Sequence, residues 1–341
     1  MLEISLFILT LALAFSGVSL YRRWSARVGI VDEPNERSLH SNPTPRGGGM
    51  VIATVCLTGF CAISYMTTGV FAWGYLSGAV LIVLISWLDD VFDIPSVWRL
   101  ICHTVAAILL IANAGYLHGI GVPGTAYSVD FGSWGIPITV FWVVWMINAY
   151  NFMDGIDGIA GLQAVIAGLG WSAVAAGYAV PGMRLYGLVI SAASLGFLLH
   201  NWQPARIFMG DVGSAFLGFT FAALPILAAA RNPAAGTDFA FVGLLVLWLF
   251  VFDSMITLFF RLIRRRRVWR AHREHLYQRL VISGRSHAAV TTIYGVLTTL
   301  IVASLISMAP TNDVSPIIPI VITGCVTAAL CVLVLSTGVR T

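Results

Sequence analysis

Lysine is missing from this chain: all 19 of its basic residues are arginine. Without a side-chain amine, no residue can form a Schiff base with a carbonyl substrate, and that class of chemistry is excluded. Charge of either sign is scarce. Acidic and basic residues make up 10% of the sequence, against roughly 25% in a soluble domain. The length of 341 residues is therefore no guide to a number of soluble domains. The five cysteines, Cys56, Cys61, Cys102, Cys325 and Cys331, fall in apolar runs without metal-ligand spacing. They read as small buried hydrophobes, not as a disulfide framework. No Walker-type loop is present, so nothing points to ATP. No internal repeat or low-complexity linker divides the chain. The first apolar run carries Glu3 and lacks a basic leader and an obvious cleavage site, which predicts a retained span.

What is abundant is apolar length. Hydrophobic residues supply 58% of the chain, and the mean hydropathy is +0.89. A membrane span needs about 20 mostly apolar residues. Eleven runs qualify: 2–20, 49–68, 71–88, 98–117, 136–152, 159–179, 184–200, 213–230, 239–262, 288–309 and 317–336. They are too long and too unalternating for barrel strands, so helices are expected. The prediction is an all-α polytopic membrane protein with about 11 transmembrane helices, organised as one membrane domain. The link 119–135, with Gly-Val-Pro-Gly and Tyr-Ser-Val-Asp-Phe, predicts a small hairpin.

The net charge of +4 would allow a nucleic-acid partner, but the placement of the arginines decides otherwise. With the N-terminus outside, the inner loops hold Arg22, Arg23, Arg27, Arg37, Arg46, Arg99, Arg206, the cluster Arg261–Arg285 and Arg340. Only Arg184 and Arg231 fall outside, so 17 of 19 are inside. This bias predicts a periplasmic N-terminus and a cytoplasmic C-terminus.

On that map the unusual polar residues share the inner face. Asn148, Asn151, Asp154 and Asp157 recur every three residues after an apolar run. Helical spacing puts them on neighbouring turns of one oxygen-rich face, suited to a hard cation such as Mg2+. The alternative is a helix-end cap with solvated carboxylates. Asp89, Asp90 and Asp93 form a DDxxD pattern, followed by Arg99, which could hold a phosphate bidentately. Adjacent carboxylates repel unless a cation sits beside them. The run His40-Ser-Asn-Pro-Thr-Pro-Arg-Gly-Gly-Gly49 reads as a phosphate cradle, its glycine amides approaching an anion and Arg46 supplying charge, or as a structured turn before the second span. Asp211 follows a glycine and reads as a ligand or as a helix N-cap. Phe208, three residues earlier, reads on its own as interfacial packing. His272, Arg273 and His275 lack further local ligands for zinc and fit an anion site better. The Arg264–Arg267 run reads as a topogenic anchor. Asp253 lies inside a span and is suspicious on that ground.

Together TPRGGG (44–49), LDDVFD (88–93), NAYNFMDGIDGIAG (148–161), FMGDVGS (208–214) and HREH (272–275) resemble the polyprenyl-phosphate N-acetylhexosamine-1-phosphate transferases, the bacterial glycosyltransferase family 4. The resemblance runs from about His40 to His275. It implies an inner-membrane, Mg2+-dependent enzyme (Mn2+ as substitute) with its active site in cytoplasmic loops. Such an enzyme moves a sugar-1-phosphate from a UDP-N-acetylhexosamine to undecaprenyl phosphate and releases UMP. By resemblance, Asn151 and Asp211 hold the metal. Asp89, Asp90 and Asp93 with Arg99 serve catalysis at the lipid phosphate. Arg46, Asp154, Asp157, Phe208, His272, Arg273 and His275 bind substrate, Phe208 by stacking on uracil. The last loop lacks the three-histidine run of the peptidoglycan branch. It is closer to the enzymes that start O-antigen or common-antigen chains with GlcNAc- or FucNAc-1-phosphate. Membrane lipid is the surrounding partner, no nucleic acid is expected, and monomer or homodimer is left open. A cation transporter would place carboxylates near the bilayer midplane on paired broken helices. A scaffold would leave the acidic motifs without a use.

Overall fold

The computed structural model describes residues 1–33, 43–266, 272–307, 315 and 317–339. Arg37, His40, Arg267, Arg270 and Arg340, counted above, lie outside the described residues. The helices are α1 (Leu2–Val28), α2 (Gly49–Thr67), α3 (Trp73–Phe92), α4 (Ser96–Ala114), α5 (Gly135–Met153), α6 (Ile159–Gly177) and α7 (Pro181–Asn201). They continue with α8 (Gly210–Arg231), α9 (Gly236–Val246), α10 (Trp248–Ile263), α11 (Leu276–Ile282), α12 (His287–Ile306) and α13 (Ile317–Leu335). Among the described residues ten are long and apolar enough to cross a membrane, and the pair α9–α10 makes an eleventh if counted as one span. The expected helical, polytopic architecture is what the structure shows. Two antiparallel ribbons complete it. β1 (Val31–Asp32) pairs with β2 (Thr44–Pro45), and β3 (Gly119–Gly121) pairs with β4 (Ser128–Asp130) in the expected hairpin.

One expectation needs correcting. The run 239–262 is not a single straight span: α9 and α10 meet at Leu247 with a bend of 70°. The Leu247 carbonyl accepts from Phe250 N at 3.0 Å and Val251 N at 3.1 Å, which starts the second helix afresh. Hydropathy cannot see this, because both limbs and the joint are equally apolar. The first helix also outruns its expected span, continuing to Val28 until Gly29 ends it at φ 78°. That left-handed conformation favours glycine.

The bundle is organised around α8, which neighbours sheathe over 94% of its membrane window. Close crossings are built from small residues, as expected where lipid gives no hydrophobic drive between helices. A Cβ on Gly168 of α6 would stand 2.8 Å from the Gly187 carbonyl of α7. Some polar groups inside the bundle pair across helices. Tyr75 Oη lies 2.5 Å from Tyr186 Oη and 3.0 Å from Thr220 Oγ1, tying α3, α7 and α8 together. Leaving those hydroxyls unpaired in an apolar interior would cost several kcal/mol. Outward faces carry exposed Ile4, Ile8, Leu9 and Leu13 on α1 and Ile101, Val105 and Ile108 on α4, the surface that a lipid solvent tolerates.

Candidate active site

Helix ends meet at one end of the bundle: the starts of α2, α4 and α8 and the ends of α3 and α5. Asp89, in the last turn of α3, accepts from Ile94 N at 2.8 Å. Arg99, in the first turn of α4, reaches back with Nη1 2.5 Å from Asp89 Oδ2. The same Nη1 lies 3.2 Å from Oδ2 of Asp211, in the first turn of α8. Asn151, in the last turn of α5, donates from Nδ2 to Asp211 Oδ1 at 3.1 Å and to Ser214 Oγ at 2.9 Å. One guanidinium and one amide thus join four helices at a single carboxylate. Arg99 and Asp211 each keep 35% of their side-chain surface exposed, so the junction is open to a ligand.

Asp90 does something different, with only 5% of its side chain exposed. Its Oδ1 accepts from Arg46 Nη2 at 2.7 Å and from Asp211 N at 3.2 Å, and Val212 N lies 3.5 Å from Oδ2. It caps α8 from outside that helix, satisfying amides that helix starts leave unpaired. Arg46 also donates to the Asp90 carbonyl at 2.7 Å, so its guanidinium secures this cap.

Two of the three amides of the glycine run are turned to the protein itself. Gly48 N donates to the Phe208 carbonyl at 3.0 Å and Gly49 N to the Met209 carbonyl at 2.8 Å. In return Phe208 N donates to the Pro45 carbonyl at 2.8 Å. Those glycine amides are occupied by protein. The run serves close approach: a Cβ on Gly49 would stand 2.1 Å from Gly213 Cα. Spacing alone could not tell a strap from a cradle.

The three-residue period of polar groups is also interrupted. α5 ends at Met153, with Asp154 as its C-cap. Asn148 turns inward, donating to the Val144 carbonyl at 2.7 Å and approaching His103 Nδ1 at 3.5 Å. Asp157, beyond the helix, accepts from Ala205 N at 3.1 Å, and its Oδ1 lies 3.4 Å from His287 Nδ1. Its carbonyl accepts from Thr291 Oγ1 at 2.8 Å. Asp157 therefore ties the start of α6 to the loop before α8 and to α12; a chain that leaves the helix no longer repeats by turns. Asp93 is not drawn in either. It is exposed with φ 55°, and its side chain makes no ion pair among the described residues.

Asp154 faces the junction electrically. Desolvation raises its carboxyl pKa well above the ordinary range, and the charges of Asp211, Asp90 and Asp157 raise it further. Negative charge is in excess there, which a cation would relieve. Among the described residues no three His, Cys, Asp or Glu side chains gather as a metal cage. The junction fits Mg2+, which takes one or two protein oxygens and completes its shell with waters and substrate phosphates. Asp211 and Asn151 are the oxygen donors suited to that share.

The last loop docks on the same corner. His272 and His275 stack with ring centres 4.9 Å apart, and Phe152 lies 6.1 Å from His275. Glu274 Oε1 pairs with Arg261 Nη1 at 2.5 Å and Arg266 Nη1 at 2.9 Å. Tyr277 Oη donates to the Phe152 carbonyl at 3.0 Å, two residues before Asp154. Burial, then His275 and Arg261, lower the His272 pKa to about 4, so its ring is neutral. Arg273 and Phe208 are half-buried at this end. Sequence reasoning missed Ser214, Tyr277, His287 and Tyr294, ordinary polar residues whose roles depend on distant partners.

The family model for glycosyl transferase family 4 matches residues 72–229. That segment contains Asp89, Asp90, Asp93, Arg99, Asn151, Asp154, Asp157, Phe208 and Asp211, while Arg46 and the 272–275 loop lie outside it. The chain is 29% identical over 294 residues to the probable undecaprenyl-phosphate N-acetylglucosaminyl 1-phosphate transferase of Bacillus subtilis (strain 168), covering 84% of this chain and 80% of the relative. It is 30% identical over 307 residues to the decaprenyl-phosphate N-acetylglucosaminephosphotransferase of Mycobacterium tuberculosis (strain CDC 1551 / Oshkosh), covering 80% and 74%. It is 31% identical over 237 residues to the phospho-N-acetylmuramoyl-pentapeptide-transferase of Oceanobacillus iheyensis, covering 65% and 72%. The likeness spans most of the chain, and the family segment carries the residues that converge on Asp211. On these grounds the chain belongs to glycosyl transferase family 4.

Proposed function

We propose that this protein transfers an N-acetylhexosamine-1-phosphate, of GlcNAc or FucNAc type, from a UDP-sugar to undecaprenyl phosphate. The product is the undecaprenyl-diphosphate sugar that starts a cell-surface polysaccharide of the O-antigen or wall-polymer class. The reading places the enzyme in the bacterial inner membrane with its catalytic end toward the cytoplasm, where UDP-sugars are made. It is carried by one observation: Arg99 bridges Asp89 and Asp211 at an exposed junction to which Asn151 also contributes.

In the reaction an oxygen of the lipid phosphate attacks the phosphorus bonded to the sugar. The bond from that phosphorus to the bridging oxygen breaks, and the oxygen leaves with UMP. One phosphoanhydride replaces another, so no ATP is required. Two anions must meet, and lowering their repulsion is most of the catalytic task. Arg99, a planar fork matched to phosphate oxygens, holds the acceptor headgroup. Asp89, already in contact with Arg99, orients that headgroup and accepts a proton from it. Asp90 and Arg46 act by fixing the start of α8, and hence Asp211. Bound at Asp211 and Asn151, Mg2+ supplies charge neutralisation at the diphosphate. Phe208 stacks on the uracil, and His272, Arg273 and His275 contact the sugar and diphosphate, with Asp154 and Asp157 ordering the wall between them.

The test is transfer by purified protein, with undecaprenyl phosphate, Mg2+ and a panel of UDP-sugars, read as lipid product by mass. A lipid-linked hexosamine with matching UMP, abolished by a chelator and restored by Mg2+ or Mn2+, is expected. A folded protein that labels no lipid with any donor would sink the proposal. The panel includes UDP-MurNAc-pentapeptide, because the Oceanobacillus relative is named for that transfer. Preference for that donor would move the protein to the peptidoglycan branch.

A further inference from the structure

Asp253 lies in α10 with 0% of its surface exposed, and the reaction above makes no use of it. Its Oδ1 accepts from Leu276 N at 2.8 Å and Thr257 Oγ1 at 3.2 Å, and lies 3.1 Å from His275 Nδ1. Its Oδ2 accepts from Tyr294 Oη at 2.7 Å and Tyr277 N at 3.1 Å. A carboxylate offers about four acceptor positions, so this one is saturated by α10, α11, α12 and the His275 ring. An ionised carboxylate only accepts; His275 therefore carries a hydrogen on Nδ1. The carboxylate also takes the first two amides of α11, which fixes where that helix begins. From there Tyr277 carries the order to the end of α5 through its bond to the Phe152 carbonyl.

A buried carboxylate is a costly way to hold a loop when apolar packing of the same volume serves stability as well or better. What an apolar side chain cannot do is select one imidazole tautomer and pin two consecutive amides. We propose that Asp253 is a positioning residue for the segment 272–277: it sets the His275 tautomer and holds His272, Arg273 and His275 against the corner formed by Phe152 and Asp154. The inference rests on the reading of that segment as the part that contacts the donor sugar and diphosphate.

Two variants test it, Asp253→Asn and the milder Tyr294→Phe, each read by hydrogen exchange and by steady-state kinetics. Asparagine keeps the shape but turns an N–H toward groups that themselves donate. Exchange of the Leu276 and Tyr277 amides is expected to rise about tenfold or more in Asp253→Asn. KM for the UDP-sugar rises about tenfold, on the scale of lost outer-shell support, while KM for the lipid phosphate stays within about twofold. The double variant Asp253→Asn/His275→Gln loses less than the product of the two single losses, because both disturb the same ordered ring. Tyr294→Phe moves exchange and donor KM in the same direction by less, and decides the matter if Asp253→Asn does not fold. Unchanged exchange would overturn the proposal. So would a loss confined to kcat with donor KM unchanged, or additive effects in the double variant. Faster exchange in the variants of a protein whose wild type transfers nothing would instead overturn the donor-binding half and the functional reading, and leave the loop-ordering half standing.

Discussion

Two carboxylates of this protein stand at opposite extremes. Asp211 is 35% exposed and shared between a guanidinium and an amide. Asp253 is fully buried with both oxygens taken by donors from surrounding elements. The first has coordination left over and sits where negative charge is in excess; the second has both oxygens filled by donors of the protein itself. The difference separates a group placed to meet a ligand from a group placed to hold the protein's own chain. Burial and donor count distinguish them, although both are single aspartates next to apolar runs.

If that contrast is right, Asp211→Asn lowers transfer by about a hundredfold or more while the melting temperature in detergent stays near wild type. A variant retaining full activity would remove Asp211 from the reacting centre. Arg99→Lys keeps the charge but not the fork that spans Asp89 and Asp211, and a loss of about tenfold in kcat/KM is expected. Gly49→Ala probes the strap and not the site. Its Cβ would press on Gly213 Cα, so a destabilisation of about 1–3 kcal/mol is expected, read as a lower denaturation midpoint. Asp93→Asn is expected to change activity and stability by no more than about 0.5 kcal/mol equivalent, as for an exposed side chain that makes no ion pair among the described residues. A large loss of lipid-linked product there would return Asp93 to the cluster. The last test reads pH and concerns His272. Its folded pKa, about 4, lies below the unfolded value of 6.5. Its contribution to stability is thus complete above 6.5 and is lost as pH falls toward 4. His272→Gln should flatten that part of the melting-temperature profile and leave the region above pH 7 unaltered.

How far the sequence could be read follows from the physics of each feature. Helical spans were legible because lipid imposes a length and a composition. Their boundaries held within a few residues where a turn-former or a change of hydropathy marked them. The bend at Leu247 was illegible because nothing in apolarity changes there. The DD pair was legible as a unit, but not that Asp89 would meet Arg99 while Asp90 capped α8. Likewise Asn151 and Asp154 read as two members of one periodic face, and the helix ended between them.

The sequence by itself determined a helical bundle in lipid, an arginine-rich and acid-rich set of loops, and membership in a family of transferases. Those follow from local composition and from ordered motifs that a linear reading can recognise. The tertiary structure alone decided which acid is open and which is closed, that Gly48 and Gly49 strap the start of α8, and what Asp253 holds. The reason is that a side chain's role depends on donors brought from helices far apart in sequence, and burial removes the water that would otherwise make all carboxylates alike.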